Sequence, residues 1–149
     1  GELFVVRNTG GALCSSALAS LEYAVHHVGV KVLIILGHEG CAAISNALNL
    51  DSDADSYTPA LLEQIKLLKN GLDVEALAQL KDHRARDREA TCMSIHAQLK
   101  LLAENEGIMK KVRQGKLIIT GAIYEVSSGI VDFFEELAPP SLQLRRGRA

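Results

Sequence analysis

The chain has 149 residues, 48% of them hydrophobic, which fits one domain with a sizeable core. Its net charge of −2 and its 4% aromatic content, with no tryptophan, provide neither a basic face nor stacking platforms, so nucleic acid and anionic membrane are not expected as partners. No apolar run approaches the ~20 residues that cross a bilayer.

Residues 2–7, ELFVVR, read as an extended strand, and the turn chemistry of NTGG at 8–11 breaks it. Leu18, Leu21, Val25 and Val28 then recur at spacings of three and four. That pattern predicts an amphipathic helix with Ser15 or Ser16 as N-cap and Gly29 just past its end. Residues 30–36, VKVLIIL, read as a buried and parallel strand. A short helix is expected from Cys41 to Leu48. The acidic DSDADS at 51–56 mimics the opening of a calcium loop but lacks the downstream Gly and Glu, so a solvated loop is expected.

Thr58 followed by Pro59 predicts a helix start that runs to Lys69. Asp73 caps a further helix through His83, and a long helix is expected over 87–105 with a break at Gly107. LIITGAIY at 117–124 reads as a strand, SSG as a hairpin turn and IVDFF as the returning strand. The element order predicts an α/β fold, a three-layer sandwich with a mainly parallel central sheet. One domain is expected over 1–137, with a loose surface tail at 138–149.

Three cysteines, Cys14, Cys41 and Cys92, do not make a disulfide framework. They suggest a reducing compartment, and a cytoplasmic location is expected. The first residues show no signal-peptide pattern.

The stretch VLIILGHEGCAAI at 32–44 carries the chemistry. It places His38 and Cys41 just beyond the carboxyl end of a strand, where open α/β sheets bind ligands. Zinc accepts imidazole nitrogen and thiolate sulfur, and Gly37 and Gly40 permit a tight backbone around the two donors. A thiolate is favoured near a helix N-terminus. Two readings without metal stay open: a buried cysteine beside a histidine that caps the turn, and an anion-binding G-H-E-G loop.

Three segments in order, VVRNTGG at 5–11, SLEYAVHHVGVK at 20–31 and LGHEGCAAI at 36–44, resemble the β-class carbonic anhydrases. ITGAIYEVSSGIV at 119–131 resembles that family's C-terminal hairpin. The resemblance implies a zinc-dependent lyase that interconverts carbon dioxide and bicarbonate, assembled as homodimers or dimers of dimers. His38 and Cys41 match two of the family's three protein zinc ligands. Asn8, Gly10, Gly11 and Gly37 then fall at the substrate pocket. Arg7 matches the family's R-N pair and is expected to serve structure. Tyr23 and Tyr124 are expected to pack, with their hydroxyls on buried partners.

The family's third ligand lies in C-x-D-S-R, upstream of the segment in which this chain opens. The Asp-Arg pair of that motif is likewise not among these residues, so the catalytic residues of this chain stay unassigned. A preceding portion that supplies the motif is expected; the alternative is a non-catalytic structural or binding relative with an incomplete zinc site. Without the upstream strand, the sheet is expected to leave a slot of unpaired N–H and C=O groups. Cys14 is the candidate for a substitute ligand.

Overall fold

The computed structural model describes residues 1–137, and the tail expected at 138–149 lies outside them. Two apolar runs form the parallel centre of the sheet. Strand β1 (Val32–His38) pairs in parallel with β2 (Ile118–Tyr124), from Val32 opposite Ile118 to His38 opposite Tyr124. Strand β3 (Val131–Leu137) returns antiparallel to β2, with an irregularity between Thr120 and Gly121. The α/β class holds, with a mixed sheet in the order β1-β2-β3.

Side chains alternate across a strand. Leu33, Ile35 and Gly37 therefore face one side with Ile119, Gly121 and Ile123, and α6 (His83–Glu104) packs there. The other side carries Val32, Ile34 and Leu36 in line with Phe133 of β3, and these four are between 46% and 58% exposed.

Two clusters make the core. The first joins Cys41, Ile44 and Ala47 with Ile65, Leu68, Leu77 and Ala90. It is built from α2 (Ala42–Leu48), α3 (Leu50–Asp53), α4 (Pro59–Lys69) and α5 (Val74–Ala78) against the start of α6. The second joins Leu33 and Ile119 of the sheet with Ile95, Leu99 and Leu102 of α6 and with Ile108 and Val112. The last two come from α7 (Glu106–Arg113). Leu18 and Leu21 of α1 (Ser15–Tyr23) and Val25 of the π-helical turn Ala24–Val28 close this cluster. Gly29 ends the turn in the left-handed conformation at φ 76°, as its position in the sequence predicts.

Several expectations need correction. Residues 1–8 form no strand, and Leu3 and Val5 are 84% and 65% exposed. Extended propensity alone does not make a strand; a neighbour must take its N–H and C=O groups. Among the described residues no strand flanks this segment, and β1 is paired on one side only. The DSDADS loop is instead helical, split between α3 and a 3-10 turn at Ala54–Ser56. The helix capped by Asp73 stops at Ala78, because Asp82 caps a new one by accepting from the Ala85 N–H at 2.7 Å. The later break falls at Asn105, not at Gly107, since Asn105 caps α7 through the Ile108 N–H. Tyr23 and Tyr124 are exposed rather than buried, and Tyr23 stacks on His27 at 5.2 Å.

Candidate metal centre

The parallel ladder fixes where β1 stops, and α2 begins four residues later. His38 is the last residue of β1, opposite Tyr124, and lies on the open face. Its Nδ1 stands 3.0 Å from the Glu39 carbonyl oxygen. A carbonyl only accepts, so Nδ1 carries a proton, and Nε2 is the ring nitrogen left to offer a metal a lone pair. Cys41 is the N-cap residue of α2, and its carbonyl accepts from the N–H groups of Ile44 and Ser45, each at 3.1 Å. Its side chain is buried in the first core cluster beside Ala12.

Glu39 and Gly40 separate the two donors, and other elements hold both. The Glu39 N–H donates to the Tyr124 carbonyl at 2.9 Å. Arg84 of α6 donates to Glu39 Oε1 at 2.8 Å. Ser127, in the β2–β3 hairpin, donates to Oε2 from its N–H at 3.2 Å and its hydroxyl at 3.0 Å. Arg84 first, and Ser127 after it, hold the Glu39 carboxyl down at about 2. The same bond raises the Arg84 pKa. Gly40 sits at φ 70°, and its N–H donates to Asp87 Oδ2 at 2.7 Å. One turn on, Arg88 ties α6 to Glu125 and Asp132.

The NTGG turn lies against β1, α2 and α4. Asn8 donates from Nδ2 to the Ala12 carbonyl at 2.6 Å and so closes that turn. Gly10 leaves room for a neighbour: a Cβ there would meet Leu68 Cδ1 at 2.4 Å and Ala43 Cβ at 3.1 Å. Gly11 faces open space. Gly37 fits under α6, where a Cβ would stand 2.7 Å from both Ile95 Cδ1 and Thr91 Cγ2. Arg7 and Ala42 are exposed.

Cys14 shares a hydrogen bond of 3.2 Å with the Ser16 hydroxyl. That bond, followed by the Ala17 N–H, lowers the pKa of its thiol. Burial pushes the Cys92 thiol up. Among the described residues no three His, Cys, Asp or Glu side chains converge on a point that would hold a metal, so Cys14 does not complete a set with His38 and Cys41. The two donors fit zinc by type, and the His38 tautomer is the one that leaves Nε2 free to coordinate. They account for two positions of a four-coordinate site.

Sequence patterns mark Glu39 and Ser127 only as parts of the G-H-E-G loop and the SSG turn, and do not single out Arg84 or Asp87. A signal was present in part: residues 84, 87, 88, 91 and 95 recur at helical spacing, so the charged start of α6 shares a face with its buried Ile95.

The sequence model of the family described as Carbonic anhydrase matches residues 1–131. Carbonic anhydrase 2 of Mycobacterium tuberculosis is 29% identical over 133 residues, which cover 87% of this chain and 61% of that protein. The solved β-carbonic anhydrase CcaA is 26% identical and superposes with a TM-score of 0.78, over 91% of this chain and 68% of that one. A structure from a study of two tetrameric β-carbonic anhydrases of Sordaria macrospora shares the fold with a TM-score of 0.77 at 24% identity, over 88% of this chain and 67% of that one. The chain spans 61% to 63% of the curated relatives from Mycobacterium tuberculosis and Helicobacter pylori. A match over nearly the whole described length, on a sheet that ends in the His38–Cys41 turn, places the chain in the β-carbonic anhydrase family.

Proposed function

We propose that the polypeptide carrying these residues interconverts carbon dioxide and bicarbonate, with zinc held in part by His38 and Cys41. One observation carries the site assignment. The Nδ1–H of His38 is engaged by the Glu39 carbonyl, which leaves Nε2 as a donor three residues from a thiol at the end of a parallel strand. When bound, zinc supplies a Lewis acid that lowers the pKa of a water on it to about 7. The chain's own part is to present one imidazole and one thiolate, and to border the pocket with Asn8, Gly10, Gly11 and Gly37. Residues 1–137 are taken as one domain. Assembly as a homodimer or dimer of dimers is supported by the bare apolar face of the sheet and by the tetrameric relatives. A cytoplasmic location is supported by the three free thiols. No described helix is long and apolar enough to cross a membrane.

The test is zinc content and carbon dioxide hydration by stopped flow, on the complete polypeptide as its gene encodes it. About one zinc per chain is expected, with His38→Ala and Cys41→Ala each losing metal and turnover together. Full zinc in both variants rejects the site. A zinc-loaded native protein that does not accelerate hydration selects the non-catalytic reading.

A further inference from the structure

Three polar groups between the two donors are held from outside the turn, while the Glu39 carbonyl faces His38 itself. The Glu39 N–H goes to β2 through Tyr124, and the Glu39 carboxylate goes to Arg84 and Ser127. The Gly40 N–H goes to Asp87. Two of these anchors, Arg84 and Asp87, lie three residues apart on the first turns of α6, which Asp82 caps. Arg84 also reaches the Ser127 hydroxyl at 3.3 Å, so one guanidinium joins the turn to the β2–β3 hairpin. The bond from Asp87 is the one with directional consequence. It aims a carboxylate at the amide of the residue whose left-handed backbone, at φ 70°, turns the chain from His38 toward Cys41.

We propose that Asp87 and Arg84 are positioning residues of the metal centre. Asp87 fixes the backbone of Gly40, and Arg84 fixes Glu39 against Ser127, so that the imidazole and the thiol meet a metal without first ordering the turn between them. This rests on the zinc reading of His38 and Cys41. Neither Asp87 nor Arg84 touches the metal. Their effect passes through the peptide groups that carry the donors, as outer partners of metal ligands act in general.

Zinc affinity is measured by chelator competition on the complete polypeptide, for the native protein and for Asp87→Ala, Asp87→Asn, Arg84→Ala and Arg88→Ala. Unfolding midpoints are recorded alongside. Asp87→Ala is expected to lose 10- to 100-fold in zinc affinity. Asp87→Asn keeps an acceptor oxygen and is expected to recover most of that loss. Arg88→Ala breaks ties between the same helix and the hairpin that do not reach the turn. It is expected to lower the unfolding midpoint and leave zinc affinity unchanged. Amide exchange at Gly40 is expected to quicken in Asp87→Ala in the metal-free protein.

Zinc affinity in Asp87→Ala and Arg84→Ala within about twofold of native overturns the proposal, as does an equal loss in Arg88→Ala. If Asp87→Ala does not fold, Asp87→Asn and Arg84→Ala decide by the same criterion. The two readings fail separately. Loss of zinc in His38→Ala and Cys41→Ala with native affinity in both α6 variants rejects positioning alone. Full zinc in the donor variants, or no zinc in the native protein, rejects both.

Discussion

Glu39 stands between the two candidate donors, and its ionisation links the His38–Cys41 turn to the stability of the fold. Its folded pKa is about 2 against an ordinary 4.5, with Arg84 as the main cause. The folded chain therefore binds fewer protons than the unfolded chain between those values. The contribution is complete above about pH 4.5 and drains away as pH falls through about 2. Unfolding midpoints followed from pH 6 to pH 2 should decline less steeply in Glu39→Gln than in the native protein. High salt should narrow the difference, because the pair with Arg84 lies at the surface. Parallel declines at low salt would show that Glu39 is not coupled to folding.

Helix ends make the strongest demands at the scale of elements. Asn105 both accepts from the Ile108 N–H at 3.0 Å and donates to Glu22 at 2.7 Å, so it starts α7 and pins α1 to it. Thr58 starts α4 with no side-chain cap bond. Asn105→Ala should cost about 1–2 kcal/mol in urea unfolding, while Thr58→Ala should fall well below that. Equal costs would mean that the caps do not set these ends. The same contrast shows how far local signals reach. The Thr-Pro at 58–59 located the start of α4, while the strand expected at 30–36 begins two residues later, at Val32, and buries only one of its faces. Asp82 and Asn105 were missed because a cap competes with its neighbours, and packing decides which one ends a helix. The site divides in the same way. His38 and Cys41 could be read from one short stretch. Arg84 and Asp87 reach the turn across 45 and 47 residues of chain, and no local pattern records such a bond.

At the scale of the molecule, the two faces of the sheet differ. One is sealed by α6, while the other leaves Val32, Ile34, Leu36 and Phe133 largely exposed. Contiguous apolar surface of this kind marks association sites. In sedimentation the native protein should associate as concentration rises, and a Leu36→Lys, Phe133→Lys double variant should remain a monomer. Identical sedimentation of the two would remove this face from the assembly. The edge of β1 is a separate matter: among the described residues no strand pairs with it, and such an edge is matched by another strand, not by an apolar surface.

The two core clusters meet at the His38–Cys41 turn. His38 ends a strand of the sheet cluster, Cys41 is embedded in the helical cluster, and α6 runs through both like a shared beam, with Ala90 in one and Ile95, Leu99 and Leu102 in the other. The turn is thus a joint between two blocks, and each block carries one of the donors. Slackening around Leu77 or Ile65 would shift the sulfur while the imidazole stayed in register with β2. Slackening around Leu33 or Ile119 would do the reverse. The separation of two atoms becomes a gauge of how the halves of the core sit on their common beam, and damage far from the turn would be read there as a changed separation and, on the proposed zinc reading, as lost affinity.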